Sequence, residues 1–226
     1  MKIEKQSFEK HPSKLLNDLY KESNHQGARP DLAKFIFVGR DPNWAFNIET
    51  QDMFGKVLEY LSDGVRFWEK YKIHHPFLLP NYKGDGKRYH KIFSKLKIDS
   101  EWAHLISFVE LIGFPTTGMA KSSNKKFMEY LMSDENKSHL IRLDQILNNP
   151  DKIIFIAWGL IEDFKCLNKK TGLFLNFSQL DKNKMVITDL NIVNNIFIHR
   201  HFSDAISNTT LEKMKSQFDI YLNKTI

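Results

Sequence analysis

The chain has 226 residues, 42% hydrophobic and 13% aromatic with 18 Phe, which suits one large core and excludes a disordered or fibrous chain. Lys and Arg outnumber Asp and Glu by 33 to 27, and the resulting charge of +6 favours approach to a polyanion such as DNA. The single cysteine, Cys166, excludes an internal disulfide and a four-cysteine metal site. The charged start, MKIEKQSFEKHPSK, and the lack of a long apolar run predict a cytoplasmic protein without signal peptide or membrane span.

In chain order, apolar runs of strand length fall at 34–39 (KFIFVG), 104–109 (HLISFV), 153–158 (IIFIAW) and 195–199 (NIFIH), and MVITDL at 185–190 is a candidate for one more short strand. Near-continuous hydrophobicity with β-branched residues predicts strands buried on both faces of a parallel sheet. Helical spacing occupies 51–61, 88–96, 125–132, 139–147 and 211–222. Strands alternating with helices predict βαβ units and a three-layer α/β/α fold around a central four-stranded, mostly parallel sheet. No repeat, low-complexity tract or linker divides the chain, so 1–226 reads as a single domain. NYKGDGKRYH at 81–90 is expected to be a surface loop.

Open α/β sheets bind ligands beyond the carboxyl ends of their strands, so the residues after each apolar run are the first candidates for chemistry. The first run continues as GRDPNWAF: Gly39 permits a tight exit, Asp41 presents a carboxylate and Pro42 sets the next turn. This resembles motif A of the uracil-DNA glycosylase superfamily, a strand followed by G-Q-D-P-Y-H whose Asp positions the hydrolytic water. Gly39, Arg40, Asp41, Pro42, Asn43 and Trp44 stand at the matching places. An ordinary strand-to-turn junction also accounts for this segment taken alone.

A second similarity follows the last run, where RHFSDAIS resembles the family's H-P-S-P-x-S. His201 and Ser203 match, Ser207 is a further candidate, and Phe202 and Asp204 replace the two prolines. A satisfied polar sheet edge equally explains His199 and His201. The IAWG step at 156–159 is similar to the Trp-Gly end of the family's third core strand, and the four segments occur in the family's order.

The resemblance implies a base-flipping DNA glycosylase with Asp41 and His201 as catalytic residues: Asp41 activates water and His201 stabilises the departing base. It implies no metal and no organic cofactor, DNA, single- or double-stranded, as partner, and a monomer. Gly39, Arg40, Asn43, Phe46, Glu110 and Ser203 are the expected substrate-binding residues. Asn43 replaces the Tyr that blocks the C5 side of the pyrimidine in relatives, which points to a C5-modified base. Glu110 takes the place of the uracil-reading Asn; as a carboxylate it would accept a hydrogen bond from an exocyclic amine such as cytosine N4. A solvated loop carboxylate is the alternative. Arg40 is a candidate for a phosphate, a sugar hydroxyl or a base substituent, and Phe46 or Trp44 for stacking on the base, with core packing the alternative for both aromatics. The stretch 113–126 offers Thr, Ser and Lys for phosphate contact, or is simply a surface loop.

Two other functions fit the same residues. The missing Asn, Tyr and prolines suit a DNA-binding module that has lost catalysis. His199 and His201, alternating on one strand face, could join Asp41 in a metal site for hydrolysis. No role is assigned to HHP at 74–76.

Overall fold

A computed structural model describes residues 7–82, 84, 86–118, 120 and 125–222. The strands are β1 (Glu9–Lys10), β2 (His25–Gly27), β3 (Phe35–Gly39), β4 (Ile106–Glu110), β5 (Thr116–Thr117), β6 (Ile153–Ala157), β7 (Asn191–Val193) and β8 (Ile196–His199). The helices are α1 (Lys14–Glu22), α2 (Phe54–Ser62), α3 (Gly64–Tyr71), α4 (Lys87–Phe93), α5 (Lys125–Leu131), α6 (Asp134–Leu147), α7 (Leu160–Thr171), α8 (Leu175–Ser178) and α9 (Asn208–Leu222).

The main sheet has the order β2-β4-β3-β6-β8-β7. Its four central strands are parallel and coincide with the four apolar runs, whereas β2 and β7 pair antiparallel at the two edges. The expected strand count of four is therefore corrected to six. Neither edge has an apolar run to announce it: β2 is His-Gln-Gly, and Ile192 and Val193 of β7 are exposed. MVITDL is not a strand, and Val186 and Ile187 within it are exposed; the edge strand follows it at Asn191–Val193.

Alternation along the parallel strands separates two kinds of side chain. Ile36, Val38, Ile154, Ile156, Ile196 and Ile198 face one side and pack on residues of α5, α6, α7 and α8 such as Phe127, Leu143 and Phe164. Phe35, Phe37, Phe108, Phe155 and Phe197 face the other and pack on Trp68 of α3, Phe93 of α4 and Met214 and Phe218 of α9. Helices thus cover both faces.

Register places Phe108, Phe37, Phe155 and Phe197 in one row across four strands. The centroids of Phe37 and Phe155 are 4.6 Å apart and those of Phe155 and Phe197 5.2 Å. Each such pair adds about 0.5–1.5 kcal/mol beyond its buried area.

A third cluster, including Leu16, Tyr20, Trp44, Ile48, Val57, Tyr60 and Phe77, gathers α1, α2 and the segment after β3 beside the main sheet. Ser13 starts α1 by accepting a hydrogen bond from the Leu16 amide, and Asp63 does the same for α3 through Arg66. The start of α3 can lie on the end of β2 because both contact residues lack a side chain. Gly27 has φ +75°, and a Cβ on Gly64 would sit 2.7 Å from the Gly27 nitrogen.

Candidate active site

The chain runs from β3 to β4 on one side and then back across β3 to β6 on the other, so the strand order switches at β3. Such a switch opens a crevice at the carboxyl ends of the strands. A cavity of about 690 Å³ lies there, lined by residues that end or follow all four parallel strands. Its volume is within the range of small-ligand sites. Gly39, Arg40, Asp41, Asn43, Glu110, His201 and Ser203 all line it; of the expected site residues only Phe46 does not.

Asp41 is set by main-chain bonds that continue the sheet past β3. Leu111 donates to the Gly39 carbonyl and Ile112 to that of Arg40, at 3.0 Å each; the Thr116 amide then donates to the Pro42 carbonyl and the Trp44 amide to the Thr116 carbonyl, also at 3.0 Å. The Thr116 hydroxyl donates to Asp41 Oδ2. Burial pushes the Asp41 carboxyl up to about 6, against the opposing hydrogen bonds of Thr116 and Asn43 and the charge of Arg40. At neutral pH Asp41 is mostly ionised.

Glu110 ends β4 directly opposite Gly39, and a Cβ on Gly39 would stand 3.3 Å from Glu110 Cγ. Burial pushes its carboxyl up to about 8, with the charge of Asp41 adding to the shift. Two corrections follow. Glu110 is not a solvated loop residue, and at neutral pH it is mostly a neutral acid rather than the carboxylate inferred from sequence. Two carboxyl groups in one cavity with their pKa values pushed apart is the arrangement that divides base from acid.

The His201 Nδ1 accepts from the Ser203 amide at 3.2 Å, so the neutral ring carries its proton on Nε2 and has a donor to offer. Burial holds its pKa below the ordinary value, with the Asp204 charge opposing. His199 has the other tautomer: Nδ1 donates to the Arg200 carbonyl at 2.7 Å, and burial pulls its pKa down to about 4. Phe202, fully buried against Tyr89, Phe93 and His199, anchors this loop where the family has proline. Ser207 caps α9 through the Thr210 amide at 3.0 Å instead of joining the cavity.

Arg40 lines the cavity, with its guanidinium engaged by the scaffold. Nε donates to Asp163 Oδ2 at 2.7 Å and Nη2 to the Gly159 carbonyl at 3.1 Å. Asn43 donates to the Gly118 carbonyl. Trp44 is 1% exposed and bonds Tyr20 Oη through Nε1 at 3.1 Å, so core packing holds it even where its edge reaches the cavity.

Phe46 is 58% exposed and outside the cavity, because the chain turns outward after Trp44 and buries Ile48 instead. Phe46→Ala is expected to leave both stability and cavity chemistry within about 0.5 kcal/mol of wild type, read by denaturation and by activity. Among the described residues no group of three His, Cys, Asp or Glu could hold a metal ion, which removes the His199–His201–Asp41 metal site. In the 113–126 stretch, Met119 and residues 121–124 lie outside the described residues, as do Lys83 and Asp85 of the 81–90 loop.

The fold also brings in residues with no motif. His75 Nδ1 accepts from the Phe77 amide at 3.2 Å, so its Nε2 donates to Gln26 Oε1 at 2.9 Å. Gln26 Nε2 in turn donates to Tyr20 Oη at 3.1 Å and to Glu110 Oε1 at 3.4 Å. The His75 ring stacks on His90 at 3.6 Å, and His90 Nδ1 lies 3.0 Å from His74 Nε2. Gln26, His75, Phe77, Tyr89 and His90 all reach the cavity.

No family model matches the chain, and neither curated proteins nor solved structures include a significant match to it. Among the described residues no helix is long and apolar enough to cross a membrane.

Proposed function

We propose that this chain is a monofunctional DNA glycosylase of the uracil-DNA glycosylase type that extrudes a C5-modified pyrimidine and hydrolyses its glycosidic bond. The observation that carries the reading is the convergence of Asp41, after the first parallel strand, and His201, after the last, on one cavity with aromatic walls. Motif order alone did not require that they meet.

In this reading the ionised Asp41 orients water toward C1′ and stabilises positive charge on the sugar, while His201 Nε2–H meets the negative charge that grows on the leaving base. Phe77, Tyr89 and the His75–His90 stack provide flat surfaces for the extruded base, whose removal from the duplex costs a few kcal/mol. The Asn43 amide, drawn onto the Gly118 carbonyl, leaves the C5 side less obstructed than a Tyr ring would. The charge of +6 supplies attraction to phosphates, and binding should weaken steeply with salt.

The test uses single- and double-stranded oligonucleotides carrying uracil, 5-hydroxymethyluracil, cytosine or 5-substituted cytosines, followed by alkaline cleavage of abasic sites. An abasic product at one base is the expected result. Salt-sensitive DNA binding with no abasic product on any of them overturns the reading in favour of a non-catalytic module.

A further inference from the structure

Glu110 has one occupied and one open oxygen. Oε1 accepts from Gln26 Nε2, whose amide is held the right way round by His75 Nε2 at 2.9 Å and Tyr60 Oη at 3.5 Å, both on Gln26 Oε1. Oε2 is buried and has no hydrogen-bond partner among the described residues. The main chain is fixed too: His139 Nε2 donates to the Glu110 carbonyl at 2.7 Å, its Nδ1 being taken by Asn24 at 2.7 Å. A buried open oxygen on a rigid side chain in a ligand cavity is costly unless it carries a proton or meets a ligand.

We infer that Glu110 is a second catalytic residue, the general acid that donates the Oε2 proton to the departing base, with Gln26 as its positioning residue. This rests on the glycosylase reading above. Water oxygen bonds to C1′ as the C1′–N1 bond breaks and its electron pair passes to the base. One water proton goes to Asp41, and the Glu110 proton goes to the ring-nitrogen or carbonyl acceptor of the base facing it. Asp41 and Glu110 then exchange their protons with solvent, and the cycle closes. Uracil leaves tolerably as an anion; cytosine is the poorer anionic leaving group, so an acid on the base edge selects for amino-pyrimidines as substrates.

The groups facing Glu110 favour the neutral form. Asp41 is the nearby charge, Tyr20, Tyr60 and Tyr89 are buried with their hydroxyls protonated, and His75 and His90 are held neutral by burial. None of these is a cation that would ionise it.

Single-turnover rates at saturating enzyme decide the matter, measured on duplexes carrying 5-hydroxymethylcytosine or 5-hydroxymethyluracil across pH 5–10. Glu110→Gln should lower the cytosine-type rate about 100-fold and the uracil-type rate by at least about tenfold less than that, and should abolish the fall in rate near pH 8. Gln26→Leu, which removes a donor that favours the ionised form, should move that fall to higher pH. Equal losses on both bases, or an alkaline fall that survives in Glu110→Gln, overturns the inference while leaving the glycosylase standing. A wild-type protein that releases neither base nor any other in the wider panel overturns both.

Discussion

On the proposed glycosylase activity, Asp41→Asn should lower the single-turnover rate of base release about 1000-fold, the middle of the range for loss of a positioned general base. The amide is nearly isosteric and still accepts from the Thr116 hydroxyl, so the segment stitched to Thr116 keeps its course. What disappears is the negative charge that, in the proposed mechanism, draws a water proton and balances the developing sugar cation.

Linkage gives the same substitution a second readout. The Asp41 carboxyl is raised from 3.8 to about 6 on folding, so the folded state holds the proton more tightly than the unfolded chain. Wild-type stability associated with this group is complete below pH 3.8 and is lost as pH rises through about 6. The Asn variant escapes that loss, and its stability relative to wild type should grow over this interval by up to about 3 kcal/mol. Chemical denaturation of both proteins at pH 4 and pH 7.5 measures the difference. A variant that is inactive and also no more stable at pH 7.5 would mean that Asp41 is not the buried carboxyl described above.

Much of the scaffold was legible because parallel strands buried on both faces must be apolar at nearly every position. FIFVG, ISFVE, IIFIA and IFIH therefore stand out from their surroundings. The edge strands were not, since a three-residue strand with one exposed face carries no periodicity to detect. Helix α1 was hidden because KLLNDLYKE buries only Leu16 and Tyr20, and α7 because it begins directly after the β6 apolar run and its charges break the pattern.

Asp41, Glu110 and His201 could be placed at the cavity from sequence because each ends or closely follows a parallel strand, where topology concentrates ligand contacts. Phe46 failed because position in a motif says nothing about which way a loop turns. Gln26, His75 and His90 were missed for the opposite reason. Their roles arise from side-chain bonds between β2, the turn at Pro76–Leu78 and α4, and no local spacing encodes contacts between separate elements. The protonation states were likewise illegible, since a neutral Glu110 depends on burial that only the assembled cavity creates.

Arg40, at a place where the resemblance suggested a ligand contact, is held by the scaffold instead, and this carries the second large effect. Asp163 lies in the first turn of α7, is 1% exposed, and receives the Arg40 Nε across the crevice between β3 and β6. Removing one partner of a buried ion pair leaves the other desolvated with its charge uncompensated. Asp163→Ala should therefore cost about 3–5 kcal/mol. For a chain of this size that lowers Tm by about 10 °C, measurable by calorimetry. Asp163→Asn, which keeps an acceptor but not the charge, should lose less. If Arg40 instead served mainly to grip phosphate, Asp163→Ala would free its guanidinium, tighten DNA binding and leave Tm nearly unchanged. A fall in Tm marks a guanidinium whose task is to hold the buried carboxylate, and tighter DNA binding at an unchanged Tm marks one that serves phosphate.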